Sequence, residues 1–329
     1  MTAEQLAELS DLFVVAAVLL YVFSMVGFAI ELAFGRARSG KAEKPVAIKQ
    51  PVAVGAAGAE EVPPTAETPV VAHQGPARSL SRRPGRSTGA HRAGTVALAL
   101  AWVGWAANFA AILSRGLAVD RWPWGNMYEF VVAICFAAVT AFLGTQLRYN
   151  VRFLGAFVMV VSALGLGAAV RYFYTEAGPV VPALDSYWIA IHVTAAIVAS
   201  GLLTLAGVAG VLYLMRGEGM SRLPARADLE RVAHRAIVFA FPLWTFAVIA
   251  GALWADRAWG RYWGWDPKEV WSFITWVVYA AYLHAKATAG WRGRAATIVQ
   301  LVGFACLLFN LIGVNIFIGG LHSYADVSN

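Results

Sequence analysis

The chain has 329 residues, 59% of them hydrophobic and only 14% charged, with a formal net charge of +7 and a mean hydropathy of +0.62. A soluble domain carries about 25% charged residues, so this composition excludes a water-soluble globular protein and points to an integral membrane protein. The two cysteines, Cys135 and Cys306, both lie in apolar runs. Their separation excludes a CxxC redox pair, and they imply no disulfide framework.

A span needs ~20 apolar residues, and eight stretches meet that requirement: Leu12–Phe34, Gly94–Leu113, Met127–Leu147, Phe153–Val170, Tyr187–Met215, His234–Trp254, Val270–Ala289 and Ala295–Ile318. The first lacks a basic start and a small-residue cleavage site, and reads as a retained anchor. With the N-terminus outside, segments 35–93, 148–152, 216–235 and 286–294 are cytoplasmic and hold 20 of the 26 Lys and Arg residues. That asymmetry orients the bundle by the positive-inside rule and assigns the basic charge to topology, with no nucleic-acid partner.

The expected architecture is therefore an all-α polytopic membrane bundle of about eight transmembrane helices in the cell (plasma) membrane, both termini external. It divides into an N-terminal anchor (1–34), a linker (35–93), a seven-helix core (94–324) and an external tail (325–329). The linker is rich in Ala, Pro, Gly and basic residues without an apolar period, and reads as disordered and cytoplasmic. Its histidines, His73 and His91, read as solvated.

Every external segment carries aromatics. The first contains Trp122, Trp124, Asn126, Met127, Tyr128 and Glu129, and the second ends in Tyr187-Trp188 shortly before His192. The third, WGRYWGWDPKEVW, bundles Trp259, Trp263, Trp265 and Trp271, with Trp254 and Trp276 on either side. Asp266-Pro267-Lys268-Glu269 has the form of a helix start, with Asp as N-cap, Pro at the first position and Glu placed for a capping box. Tryptophans at a membrane boundary ordinarily form an interfacial belt, but six between positions 254 and 276 exceed what a belt requires.

Histidines inside spans are functional candidates, with a helix–helix hydrogen bond as the alternative. His192 lies ~7–8 Å into its span and His322 just beyond the end of the last. These two can face one another across a shallow external pocket. His284 lies ~27 Å along the helix from Asp266, at an inner site, with small Ala280 and Ala281 one turn before it. His234, among arginines, reads as solvated or lipid-facing, and Asn108, Asn310 and Asn315 as packing contacts. An aromatic platform with imidazoles suits a large flat apolar ligand with an axial metal site, and haem is the candidate. No C-x-x-C-H occurs, so the chain does not itself hold c-type haem covalently.

The run from Trp259 to His284 resembles the tryptophan-rich WWD domain of haem-handling proteins of cytochrome c maturation. It is most similar to the System II cytochrome c-type biogenesis family, the CcsA/ResC type, called CcsB in some bacteria. Asn126–Glu129, Pro182–Trp188 with Ile191-His192-Val193, and Gly313-Val314-Asn315 with Gly320–Tyr324 agree with it in order. The resemblance spans roughly 94–324, with the WWD loop at 254–276.

That resemblance implies a cytochrome c haem lyase, or synthase, acting with a ResB-type partner. Haem b, the substrate being transferred, passes from the cytoplasmic side to the external loop. There His192 and His322 hold the iron as the catalytic pair, until the CxxCH segment of apocytochrome c replaces one of them. The cysteine thiols, kept reduced by upstream thiol-reducing proteins, then add across the haem vinyls. His284 matches an intramembrane ligand whose mate comes from the partner. Trp259, Trp263, Trp265, Asp266 and Trp271 would frame the haem; read from the residues and not from the resemblance, Lys268 either pairs with a propionate or points to water. Two other readings stay open: a haem exporter or chaperone without ligation activity, and an assembly scaffold.

Overall fold

The computed structural model describes residues 1–35, 88–180, 184, 186–217 and 223–322. Eight helices carry them: α1 (Ala3–Phe34), α2 (Thr88–Val119), α3 (Met127–Arg148), α4 (Gly155–Tyr172), α5 (Tyr187–Met215), α6 (Arg226–Trp259), α7 (Pro267–Thr288) and α8 (Gly293–Phe317). Seven are long and apolar enough to cross a membrane. The eighth, α7, carries Lys268, Glu269 and Lys286 and four amphipathic aromatics, Trp271, Trp276, Tyr279 and Tyr282, among its apolar residues. The chain is an all-α, multi-pass membrane protein. The linker except its last residues, with His73, Pro182, Ala183, Asp185, Ser323, Tyr324 and the tail at 325–329, lies outside the described residues.

Capping chemistry sets several helix starts. Asn126 accepts from the Glu129 N–H at the start of α3, and Ser186 accepts from the Trp188 N–H at the start of α5. Asp266 and Glu269 form a full capping box around Pro267. Each cap satisfies N–H groups that the first helical turn leaves without carbonyl partners.

The expected anchor is not separate from the core. Along α1, Val14, Ala17, Tyr21 and Phe28 are buried, and Phe28 meets Phe142 of α3 edge-on at 5.9 Å. Ser10 and Ser24 donate to the Ala111 and Ala97 carbonyls of α2 at 2.9 and 2.8 Å. Glu31 pairs with Arg152 at 3.1 Å. Sequence periodicity reported only that this helix is apolar; which side is packed depends on neighbours far along the chain.

Helix ends also move relative to the apolar runs. The second helix begins at Thr88 rather than Gly94, which puts His91 on its first turns, 3.7 Å from Glu31. The sixth begins at Arg226, eight residues before the His234 at which the apolar run starts. His234 is half-buried, with Nδ1 3.4 Å from the Tyr282 hydroxyl of α7, so it packs between helices instead of facing solvent or lipid. Burial and the neighbouring Lys286 were not legible from its arginine-rich surroundings in sequence.

At the end of the bundle carrying the first tryptophan loop, a buried ionic cluster fixes the chain between α2 and α3. The Glu129 carboxylate accepts from Arg115 Nε at 3.0 Å, Arg121 at 2.9 and 3.1 Å, and the Gly125 N–H at 2.7 Å. Arg115 also donates to the Thr175 carbonyl, and Arg121 to that of Gly178. Asp11 of α1 joins through Tyr128 and Tyr174 at 3.2 and 2.6 Å. Glu129 and Arg115 are each 3% exposed, so neither charge can turn to water if its partner is removed. Glu129→Ala should therefore destabilise the fold by about 3–5 kcal/mol, read as a lower denaturation midpoint in detergent micelles. A loss below about 1 kcal/mol would show that the cluster does not hold this loop.

Candidate functional site

The third tryptophan loop is a closed turn. Helix α6 ends at Gly260 with φ 69°, and Trp265 also takes a left-handed φ of 58°. A tryptophan there is strained unless held. The hold comes from Glu269, whose Oε2 accepts from the Gly264 N–H at 2.8 Å and the Asp266 N–H at 3.0 Å.

Asp266 works in two directions. Its Oδ2 accepts from the Lys268 N–H at 3.2 Å as the helix cap, and from His322 Nδ1 at 2.7 Å. Its Oδ1 accepts from the Leu321 N–H at 2.7 Å. One carboxylate thus starts α7 and pins the chain that follows α8. A Cβ on Gly320 would lie 2.7 Å from Asp266 Oδ1, so the pinned turn needs glycine for its close approach. Burial raises the Asp266 pKa, but the hydrogen bonds from His322 and the Leu321 N–H outweigh it and hold the carboxyl below its ordinary value.

His192 is fixed by a different partner with the same consequence. Its Nδ1 is 2.7 Å from the Ala247 carbonyl of α6. A carbonyl only accepts, so Nδ1 carries the hydrogen and Nε2 keeps a free lone pair. One turn on, a Cβ at Gly251 would come within 2.7 Å of the imidazole; glycine makes the space the ring occupies. For His322, the Asp266 carboxylate likewise takes the Nδ1 hydrogen and leaves Nε2. Both rings contact Trp254, His192 stacked at 6.2 Å and 6°, His322 tilted at 5.7 Å. Trp259 closes on His322 edge-on at 4.9 Å.

The two histidines line one cavity between α3, α5, α6, α7 and α8. Its apolar wall includes Trp124, Phe130, Val193, Trp244, Trp254 and Trp263, and its polar wall Lys268, Ser272, Asn310 and Asn315. Helix α8 reaches it through a π-turn at Phe309–Gly313, which brings Asn310 and Leu311 to the wall. A second groove shares Trp124, Gly125, Leu184 and Ile189 with it. Two imidazoles with engaged Nδ1 atoms in an apolar, tryptophan-walled space fit an iron macrocycle that brings its own four equatorial donors and needs two axial ones.

Of the residues expected here, His192, His322 and Trp263 line the cavity, and Asp266 and Trp259 hold His322 from behind. Trp265 is 68% exposed and touches Trp263 at 5.8 Å, and Trp271 packs on Phe309 of α8 at 4.3 Å. Neither reaches the wall. His284 is exposed on the far turns of α7, remote from the pair. Asn310 and Asn315, expected as packing contacts, do line the cavity, as do Trp124 and Trp244. The signal for the asparagines was available, since polar residues within an apolar span rarely lack a role. No sequence pattern announces a π-turn.

Replacing Asp266 separates its two duties. Asp266→Asn keeps a capping oxygen but replaces one of two engaged carboxylate oxygens by an NH2, so it should cost about 1.5–3 kcal/mol of stability while loosening His322. Asp266→Ala should cost about 1–2 kcal/mol more through the lost cap. Diethylpyrocarbonate labelling read by mass spectrometry should show His322 modified faster in both. Unchanged labelling would show that Asp266 does not restrain the ring.

Residues 124–322 match the family described as Cytochrome C assembly protein. The chain is 30% identical over 279 residues to a protein of Gloeobacter violaceus named cytochrome c biogenesis protein CcsA, covering 66% of this chain and 82% of that one. A protein of Synechococcus elongatus with the same name is 32% identical over 287 residues, covering 70% and 86%. Among solved structures, the fold is shared with a chain named Cytochrome c Heme Lyase CcmF, at a TM-score of 0.57 and 17% identity. That likeness covers 94% of this chain and 47% of the other, so this chain spans about half its length. With its Trp–His cavity inside the matched residues, the chain belongs to the cytochrome c assembly protein family, as a System II CcsA-type member.

Proposed function

We propose that the cavity binds haem between His192 and His322, and that the chain, with a ResB-type membrane partner, attaches this haem to the CxxCH segment of apocytochrome c. One observation carries the reading: Ala247 and Asp266 each engage the Nδ1 of a histidine lining one cavity, which leaves each neutral ring its Nε2 for a ligand. Family membership and the relatives' name support a role in cytochrome c biogenesis, and the narrower step agrees with the name of the structural neighbour, Cytochrome c Heme Lyase.

Haem as substrate, of the b type in this reading, supplies an iron with two axial positions and two vinyl groups. The protein contributes placement. His192 and His322 hold the iron and set the plane of the ring, while Trp254, Trp263 and Trp244 exclude water from its faces. The groove sharing Trp124 and Leu184 gives a peptide an approach to the same wall. Each cysteine S–H adds across one vinyl, forming a C–S bond at one carbon and delivering hydrogen to the other. The addition consumes no oxidant or reductant when the thiols arrive reduced, a condition met by thiol-reducing proteins upstream. Fixing vinyls and thiols together makes the step effectively intramolecular, which lowers a barrier by ~7–11 kcal/mol.

His192 is built into α5, whereas His322 follows α8 on a turn pinned by Asp266. His322 is therefore the ligand that the histidine of CxxCH replaces. In this reading a partner completes the site at His284, which is exposed on α7. The positive-inside asymmetry supports a cavity on the external face of the cell membrane, and the resemblance implies that haem arrives from the cytoplasmic side.

Co-expression with the partner and a CxxCH substrate tests the reading. His192→Ala and His322→Ala should each reduce covalently attached haem, measured by in-gel haem staining and peptide mass, at least roughly tenfold. Wild-type thioether yield in both variants would refute the assignment.

A further inference from the structure

We infer that Lys268, supported by Asn315 and Asn310, forms a carboxylate-binding subsite in the wall of the histidine cavity. Resting on the haem reading above, its ligand is a propionate of the bound porphyrin. Lys268 is half-buried on the first turn of α7 and lines the cavity. Among the described residues no carboxylate ion-pairs with its ammonium, which instead donates to Asn315 Oδ1 at 2.7 Å. Of the acidic residues beside it in the chain, Asp266 gives its oxygens to His322, Leu321 and the Lys268 backbone, and Glu269, which also lines the cavity, accepts from the Gly264 and Asp266 N–H groups. A half-buried ammonium whose one side-chain hydrogen bond goes to a neutral amide, with Asp266 acting on it only through space, has room for an anionic group from a ligand.

Asn310 is the second and independent observation. It is 2% exposed and lines the same cavity, yet among the described residues its Oδ1 has no hydrogen-bond partner. Its Nδ2 lies 2.9 Å from the Ser272 hydroxyl, a group that both donates and accepts. The amide can therefore turn over in place, keep Ser272 and present N–H to an acceptor. Asn315 is oriented by the Leu311 carbonyl at 2.6 Å, which leaves its Oδ1 directing the Lys268 ammonium. Ammonium and amide donors on one wall, with imidazoles and tryptophans on the others, match a ligand that is apolar except for carboxylates at one edge. Such a subsite fixes which edge of the macrocycle meets Lys268, and so which edge presents the vinyls to the peptide.

The test titrates the purified full-length chain in detergent with ferric haem and with its dimethyl ester, which keeps iron and vinyls but has no carboxylate. Wild type should prefer the free acid by roughly 10- to 100-fold, as expected for a charge-assisted hydrogen bond. Lys268→Met should abolish the preference while leaving ester affinity unchanged, and Lys268→Arg should keep most of it. Unchanged ester affinity also reports an intact cavity. Should Lys268→Met lose both ligands, Asn315→Asp, which neutralises the ammonium without removing it, takes its place and should likewise erase the preference. Equal affinity of wild type for acid and ester, or a preference that survives these variants, overturns the subsite and leaves the histidine reading standing. Failure of wild type to bind either ligand overturns the haem reading and this one with it.

Discussion

The carboxylate of Asp266 joins three parts of the protein that are distant in sequence. It caps α7, it pins Leu321 and His322 beyond α8, and by taking the His322 Nδ1 hydrogen it decides which ring nitrogen is left for a ligand. Without it the chain after α8 would have no fixed register against the tryptophan turn. Burial makes this interaction strong, since a carboxylate with several hydrogen bonds in a low-dielectric setting has nowhere else to place its charge. The left-handed Trp265 and the glycine at 320 are the local costs of bringing backbone and carboxylate so close.

The first tryptophan loop repeats the device with different residues. In Trp124-Gly125-Asn126-Met127-Tyr128-Glu129, the glutamate accepts from the glycine N–H at 2.7 Å while asparagine caps the helix. In Trp263-Gly264-Trp265-Asp266-Pro267-Lys268-Glu269, Glu269 accepts from the glycine N–H at 2.8 Å while aspartate caps. Each loop thus presents a tryptophan, Trp124 or Trp263, to the cavity from a turn locked by its own helix. The difference lies in what the second acidic contact does. Glu129 neutralises two arginines and ties the loop into α1 and α2, whereas Asp266 orients a histidine. One turn serves architecture and the other the site.

Much of this was legible in the sequence because membrane physics leaves few choices. Apolar length identified the helices, and Asp-Pro-Lys-Glu identified the start of α7. His192 and His322 could be paired because both lie near the same end of their spans. What the sequence did not disclose depends on three-dimensional neighbours. The packing of α1 rests on Ser10, Ser24 and Phe28 meeting helices encoded far away. Trp265 and Trp271 share the composition of Trp263 but not its direction, because the left-handed turn and the contact with Phe309 aim them elsewhere. Asn310 reaches the cavity only because a π-turn shifts the register of α8.

Two imidazoles of this chain holding one haem iron would show in the reduced-minus-oxidised absorption spectrum of the purified protein with its partner. The expected spectrum is six-coordinate and bis-imidazole, weakens in His192→Ala and in His322→Ala, and recovers when free imidazole is added. A spectrum identical in wild type and both variants, or no haem in any preparation containing the partner, would contradict that ligation.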